Sequence, residues 1–293
     1  MERKDMTSYR DIAAVEVNLP NGLWLDDQCQ QVAGLNPLSG YDEAHLLALQ
    51  GRVSPARWTS ELLARCVTHI GTLQPVSLEA VQSLSVGDRE ALLLHVRRLA
   101  FGEALSCILD CPACGKKLNI DVQISQLLLP QTQNPAYWYR ARLPQSNAQA
   151  TFRLPTGADQ EAIADLAAQD PSAAVDMLMN ACLHSLTDGD MPLEIWPEDV
   201  VGDLAKLIAE HDPQAELILN TACPECGHRF DVLLDVGTYF AEEINHRLPY
   251  LYREVHLMAW HYHWSEAEIL SMTRSHRKIY LDLLDETLRE ATL

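Results

Sequence analysis

Apolar residues recur at the three- and four-residue spacing of an α-helix in two separate parts of the chain. The pattern predicts three helices in each part, over residues 42–50, 57–71 and 86–100, and over residues 159–168, 171–186 and 198–211. Ser85 and Asp88 form a capping box at the start of the helix over 86–100. Leu92, Leu93 and Val96 then make an apolar stripe, which indicates a core face rather than a cofactor site.

Alternating apolar and polar residues predict a strand, a tight turn and a second strand after the last helix of each part. In both cases the turn is a Cys-Pro-x-Cys-Gly knuckle. The predicted strands are Ala104–Asp110 and Lys117–Val122 around the first knuckle, and Ala215–Asn220 and Arg229–Leu234 around the second. Each half of the chain is therefore expected to end in a knuckle held between two strands.

Two further β segments are predicted outside these units. Val15–Leu19 resembles a strand, and Pro20-Asn21-Gly22 after it resembles a tight turn. Tyr137–Leu143 and Ala150–Leu154 are predicted to be two strands joined by a polar loop over residues 144–147.

The two knuckles belong to a diverged internal repeat. The second knuckle follows the first by 112 positions, Cys182 follows Cys66 by 116, and Asp159 follows Asp42 by 117. The elements follow the same order in both halves, and the separation between equivalent residues varies only from 112 to 117 positions. This pattern indicates a duplication followed by small loop deletions.

After Gly237 the sequence becomes helical and rich in aromatic residues and histidine. Ser265 and Glu268 form a second capping box, so one helix is predicted to end near Tyr262 and another to begin beyond it. A final helix is predicted over Arg274–Arg289, with an apolar face made of Ile279, Tyr280, Leu283, Leu284 and Leu288.

Charge and hydropathy narrow the class of partner. The chain has 41 acidic and 22 basic residues, a formal net charge of −19, which disfavours phosphate backbones and therefore nucleic acid. No apolar run approaches the roughly 20 residues of a membrane-spanning helix, so no membrane partner is expected. The polar residues 1–6 are not followed by an apolar stretch, which favours a cytoplasmic protein without a secretory signal.

The knuckles are the candidate metal site. Two cysteines separated by two residues, on a turn that ends in glycine, can direct both sulfurs at one ion. One knuckle supplies two ligands, and a closed tetrahedral zinc site needs four. The sequence therefore predicts one structural zinc ion per chain that joins the two halves, with the ligands Cys111, Cys114, Cys223 and Cys226.

Other uses of these cysteines stay open at this point. Two disulfides would need an oxidising compartment, which the sequence does not indicate. Iron in a rubredoxin-like electron carrier uses the same ligand geometry as zinc, a redox-active Cys-x-x-Cys is a further option, and His228 could replace one cysteine. The remaining cysteines lie in apolar sequence and are expected in the core: Cys29, Cys66, Cys107 and Cys182.

No catalytic motif accompanies the knuckles. The sequence contains no glycine-rich phosphate loop, no His-Glu-x-x-His and no Gly-x-Ser-x-Gly. A metal with four thiolate ligands has no open position for water or substrate, so a non-enzymatic protein is predicted. A zinc-ribbon regulator that binds nucleic acid is the other class with such knuckles, and it should carry a basic stripe that this chain lacks.

These elements predict an α+β fold, mostly helical, with two diverged repeats whose knuckles pair as a zinc ribbon, plus C-terminal helices. Four segments follow from the pattern. They are an N-terminal β-hairpin segment (1–36), a first helical and knuckle repeat (37–130), a β-hairpin with the second repeat (131–236) and a C-terminal helical segment (237–293).

Three features together resemble the baseplate hub assembly chaperones of contractile-tailed, T-even-type phages and of related contractile injection systems. They are the helix start Leu84–Arg89, the Cys-Pro-x-Cys-Gly knuckle after a helix, and the segment Tyr262–Leu270 with Arg277 and Tyr280 beyond it. The resemblance covers most of the chain in order. It implies a non-enzymatic helper or component of baseplate assembly, and a protein partner among the baseplate or hub components.

The resemblance leaves two roles open, a transient chaperone and a subunit that stays in the particle, because the second knuckle makes this chain larger than a minimal member. The aromatic C-terminal helices are the expected partner surface, since Trp and Tyr anchor many interfaces. The net negative charge favours a basic partner.

Overall fold

The computed structural model describes residues 14–188, 191–193 and 200–290, and it leaves out the side chains of residues 247–249. Residues 1–13 of the predicted N-terminal segment, and positions 198 and 199 of the predicted helix 198–211, lie outside the described residues. The elements combine helices with antiparallel sheets, which confirms the α+β prediction.

The first half runs from β1 to α5. Its elements are β1 (Val15–Leu25), β2 (Gln28–Leu35), α1 (Gly40–Leu49), α2 (Pro55–Cys66), β3 (Val67–Ile70), α3 (Leu78–Gln82), α4 (Val86–Phe101), β4 (Ala104–Asp110), β5 (Lys117–Gln123) and α5 (Ile124–Leu127). The second half contains β6 (Tyr139–Arg142), β7 (Gln149–Phe152), α6 (Gly157–Gln169), α7 (Pro171–Cys182), β8 (Leu183–Asp188), β9 (Met191–Pro192), α8 (Val200–His211), a 3-10 turn (Pro213–Ala215), β10 (Ile218–Ala222) and β11 (Arg229–Leu233). Three helices follow: α9 (Val236–Tyr262), α10 (Glu266–Ser271) and α11 (Arg274–Glu290). None of the described helices, the long α9 included, has both the length and the apolarity to cross a bilayer.

Apart from the short α3 in the first half and the short β9 in the second, both halves have the same order of elements: a hairpin, two helices, a strand, a helix, and a strand–knuckle–strand unit. In each half the second hairpin strand also pairs, antiparallel, with the strand that follows the second helix. Leu35 of β2 faces Val67 of β3, and Phe152 of β7 faces Leu183 of β8. These partners lie 117 and 116 positions apart between the halves, close to the shifts found in the sequence.

The helices predicted over 57–71 and 171–186 end earlier than expected, at Cys66 and Cys182. The residues beyond these ends form β3 and β8 and pair with the hairpin strands β2 and β7. A short apolar run fits a helix and a buried strand equally well by periodicity. Here the strand is favoured, because it hydrogen-bonds to the open edge of the hairpin. A longer helix would leave the backbone groups of that edge unpaired.

The turn predicted over residues 20–22 is wrong, because β1 runs through them. The hairpin turn lies at residues 26–27, which both have positive φ. At the predicted turn, the pairing of β1 with β2 is interrupted by a β-bulge. There the backbone amides of Asn21 and Gly22 donate to the Asp88 carboxylate, at 2.8 and 2.9 Å. The Asn-Gly pair thus marks a bulge that a distant carboxylate stabilises.

A second buried carboxylate, Asp212, joins the two halves at the same place. It lies just beyond α8 and accepts from the Gly87 amide at 2.9 Å and from the Asn21 side chain at 2.8 Å. The predicted cap is confirmed in part: the Ser85 hydroxyl accepts from the Asp88 amide at 3.1 Å, while the Asp88 carboxylate turns to β1. Desolvation raises the pKa of Asp88 to about 7 and that of Asp212 to about 6, since burial disfavours the charged form.

The second half contains a counterpart of Asp88. The tripeptide Val-Gly-Asp at residues 86–88 recurs at residues 201–203, 115 positions later, in the first turn of α8. Asp203 is 1% exposed and accepts from the backbone amide of Gln145, in the loop between β6 and β7, at 2.9 Å. In both halves a buried aspartate at a helix start therefore holds the backbone of the hairpin. Sequence reasoning missed this pair, although the repeated tripeptide would have revealed it.

The described apolar residues form three main clusters. The largest lies between the sheet β1–β2–β3 and the helices α2, α4 and the first half of α9, with Leu62, Leu93 and Phe240 fully buried. The second joins β6, β7 and β8 to α7 and α8. The third joins the last part of α9 to α10. Because α9 enters both the first and the third cluster, it connects the main core to the C-terminal helices.

Arg277 of α11 fixes the C-terminal helices to the first half. Its side chain is 1% exposed, and it donates to both carboxylate oxygens of Glu43 in α1 at 2.9 Å. It also donates to Glu254 of α9 at 2.9 Å and to the Met272 carbonyl at 2.9 Å. A buried cation needs such a complete set of partners, so three separate segments are positioned by one side chain.

The apolar face predicted for α11 is only partly covered by neighbouring elements. Leu284 is buried and Tyr280 is partly buried, whereas Ile279, Leu283 and Leu288 are 56%, 49% and 46% exposed. The inward face of α11 is centred on a buried arginine, so fewer apolar side chains are needed there. Periodicity identifies apolar residues, but it does not show which of them a neighbouring element covers.

A glycine pair tests the junction of the two halves. A Cβ at position 87 would overlap the Asp212 carboxylate, whereas no described atom lies within 4 Å of a Cβ added at the equivalent Gly202. We expect Gly87→Ala to lower the free energy of unfolding by about 2 kcal/mol or more, through overpacking of a buried site. Gly202→Ala should change it by less than about 0.5 kcal/mol. Urea denaturation followed by circular dichroism measures both, and equal effects would contradict the assigned contact.

The buried cation makes a second prediction. Arg277→Ala leaves the carboxylates of Glu43 and Glu254 without their partner and should lower the free energy of unfolding by about 3–5 kcal/mol. The control is Lys117→Ala, which removes an exposed ion pair to Asp110 (3.3 Å) and should cost about 0.5 kcal/mol or less. A loss below about 1 kcal/mol for Arg277→Ala in chemical denaturation would refute the anchoring role.

Candidate metal centre

The first knuckle is a tight turn built by Cys111 and the residues that follow it. The Cys111 amide donates to the Lys116 carbonyl at 2.9 Å, and the Gly115 amide donates to the Cys111 carbonyl at 2.8 Å. Gly115 has a φ of 67°, in the left-handed region that glycine adopts at low cost. The glycine therefore lets the chain reverse while both cysteine side chains stay on one side.

The second knuckle repeats this geometry. The Cys223 amide donates to the His228 carbonyl at 2.9 Å, the Gly227 amide donates to the Cys223 carbonyl at 2.8 Å, and Gly227 has a φ of 73°. His228 thus takes the place of Lys116 and contributes its backbone. Its imidazole is exposed and stacks on Phe230, and it is not part of the cluster of ligand atoms.

The structure brings the four predicted cysteines together. Their sulfur atoms all lie within 4.8 Å of one another. Two distances across the knuckles, Cys111 Sγ to Cys226 Sγ and Cys114 Sγ to Cys223 Sγ, are both 3.7 Å. A tetrahedral ion with metal–sulfur bonds of about 2.3 Å has sulfur–sulfur distances of about 3.8 Å. All four are free cysteines, and the arrangement suits one metal ion at their centre.

The position of the cluster follows from where its hairpins begin. Leu105 and Cys107 of β4, and Leu217 and Leu234 at the base of the second hairpin, belong to the same main core. Both hairpins therefore rise from one core, and their knuckles meet at the far end. A small apolar cluster made of Cys111, Cys223, Leu118, Ile120 and Phe230 covers one side of the meeting point. On the other side Cys114 and Cys226 are exposed, so an ion could enter.

The backbone of the first knuckle favours a thiolate at Cys111. Desolvation would raise the pKa of this thiol, but the amides of Cys114 and Ala113 donate to its sulfur and bring the pKa down to about 7. The pKa of Cys114 is raised to about 12: the Lys116 amide lowers it, while desolvation and hydrogen bonds among the thiols outweigh that effect. A cation held between the four sulfur atoms would stabilise their thiolate forms.

The remaining cysteines take the positions expected of core residues, with one exception. Cys66, Cys107 and Cys182 are buried, whereas Cys29 is half-buried. The Cys29 thiol lies 3.1 Å from the Asn21 carbonyl and donates to it. None of these four belongs to the metal-type cluster found among the described residues.

The fold and the site together define an α+β protein whose two halves each send a knuckle to a shared cluster of four thiols. A family model described as T4 bacteriophage base plate protein matches residues 24–241, which include both knuckles and the start of α9. The chain belongs to this family and is a phage baseplate-related protein. No curated protein and no solved structure matches the chain significantly.

Cobalt(II) can report the geometry of the four-thiol cluster. Metal-free protein titrated with cobalt should develop the intense visible absorption of a tetrahedral cobalt–thiolate site, saturating at one ion per chain. Cys111→Ser should weaken binding and absorption strongly, whereas Cys29→Ser, outside the cluster, should leave both unchanged. Saturation at two ions per chain would show that each knuckle binds metal separately.

Proposed function

We propose that this chain is a non-enzymatic, zinc-stabilised protein-interaction factor that serves the assembly of a contractile baseplate, in a phage tail or a related injection system. The observation that carries the proposal is the four-thiol cluster inside a chain of the baseplate family. The cluster supports a structural ion, and the family supports protein partners among other baseplate or hub components.

Zinc is the metal proposed for Cys111, Cys114, Cys223 and Cys226, because four cysteine thiolates in a tetrahedron are its usual structural site. With all four positions filled by sulfur, the ion would contribute folding energy rather than catalysis. Apparent binding energies in small zinc-finger peptides are about 10–16 kcal/mol. An isolated two-stranded hairpin is marginal in water, so a shared ion would make the two knuckle hairpins stable as a pair.

The cluster is proposed to act on assembly indirectly, through the shape of the whole chain. It would hold the ends of both hairpins, whose bases share the main core with α9. The C-terminal part of α9 carries exposed aromatic residues, and α11 carries exposed aliphatic ones. Together with α10, these two helices are the proposed partner surface. An assembly chaperone and a resident subunit would both use such a surface.

Complementation tests the proposed function. A phage or injection system that lacks this protein should fail to form complete baseplates, and the wild-type chain should restore them. A variant with both Cys111→Ser and Cys223→Ser should lose zinc and restore assembly poorly, whereas Cys29→Ser should act like the wild type. The measurements are tail counts by electron microscopy and metal content by mass spectrometry.

Each outcome of this test has a definite meaning. Normal baseplates without the protein would overturn the assembly role, and bound iron would favour an electron carrier instead. Mass spectrometry of purified particles then separates the two assembly roles: a chaperone is absent from mature particles, and a resident subunit is present.

A further inference from the structure

One face of α9 carries a row of exposed aromatic rings. Tyr252, His256 and Trp260 follow each other at four-residue spacing, so they share one side of the helix. Tyr252 is 51% exposed and Trp260 is 70% exposed. The rings of His256 and Trp260 stack with their centroids 6.5 Å apart. We call Tyr252, His256 and Trp260 the aromatic row.

The aromatic row is held on a rigid support. Leu251, Val255 and Met258, on the opposite side of α9, are buried in the C-terminal cluster. Glu254 is bound by the buried Arg277 at 2.9 Å, which fixes the helix in its orientation. A row on a fixed helix can bind a partner with little loss of conformational entropy.

The charge around the aromatic row differs from that of the whole chain. Between Asn245 and Tyr262, the side of α9 that carries the rings has one arginine, Arg253, and no acidic residue. Glu254 lies on the other side of the helix, where it shares Arg277 with Glu43. Arg253 is exposed and lies three residues before His256 and seven before Trp260, on the same side of α9. A carboxylate-rich surface can therefore approach this face of α9 without meeting an acidic residue of the helix.

We propose that the aromatic row with Arg253 is the site that binds an acidic surface of another baseplate protein, with Trp260 as the central anchor. The inference rests on the proposed function and names the chemistry of the partner. Trp, Tyr and Arg are the residues that most often dominate the energy of an interface. The partner should present an apolar groove for the Trp260 ring, with carboxylates on its border for Arg253 and His256.

Two pairs of variants test this site. Trp260→Ala removes the anchor, and its control is Trp138→Ala, a tryptophan that is 40% exposed and lies just before β6. Arg253→Glu reverses the charge, and its control is Arg140→Glu, at an exposed position of β6. The probes are the baseplate proteins encoded with this chain, each purified and immobilised, with binding measured by biolayer interferometry at two salt concentrations.

The wild type should bind one of these proteins, and Trp260→Ala should weaken that binding at least about tenfold. Arg253→Glu should weaken it further at low salt than at high salt, because it places like charges together. Both control variants should bind within about twofold of the wild type. Circular dichroism confirms that every variant is folded.

If a baseplate protein binds the wild type and Trp260→Ala equally well, the proposed binding site is wrong, while the proposed function still stands. It also fails if Arg253→Glu strengthens binding, because the partner is then basic. If Trp260→Ala instead only dissolves a dimer of this chain, or only abolishes binding to anionic vesicles, the occupant is a second copy or a lipid surface. If no baseplate protein binds the wild type at all, both the proposed function and the inference are overturned.

Discussion

Two carboxylates buried at the start of α4 hold this molecule in one arrangement. Asp88 accepts from the backbone of β1, and Asp212 reaches from the second half to the amide of Gly87. A carboxylate without partners would be costly at such depth, so each must be met by amides from a different segment. The bulge in β1, the glycine at position 87 and the contact between the halves all follow from that requirement.

The four cysteines make a second connection between the halves, at the opposite end of the hairpins. Their strands are short and two-stranded, with core contacts mainly at the bases. Burial of apolar surface stabilises such hairpins only weakly, because the apolar cluster around the knuckles is small. A metal ion bound by the four cysteines would add the missing folding energy. Asp88 and Asp212 fix the contact between the halves beside the start of α4, and a shared ion would hold the two knuckles together at the hairpin tips.

One helix, α9, and one arginine, Arg277, connect the C-terminal helices to the rest of the molecule. The first part of α9 is buried beside α2 and α4, and Arg277 ties its later part to α1. Because these contacts use the inner face of α9, its outer face is left to present aromatic rings on a rigid support. A member of a baseplate family needs such surfaces, since assembly requires specific contacts between many proteins.

The sequence by itself determined most of the longer helices, the strand–knuckle–strand units and the four cysteines, because each rests on local spacing, but it missed the short α3 and α5. Helical periodicity identified α4, and ligand type with glycine placement identified the knuckles as a metal-type site. It did not determine where α2 and α7 end, since their last apolar residues suit a strand as well as a helix and the hairpin edge makes the choice. It also gave no sign that the Asn-Gly pair in β1 would bind a carboxylate 66 positions away. Only the tertiary structure decided these points, because a buried charge finds its partners through space, and the partners lie on segments that sequence spacing does not connect.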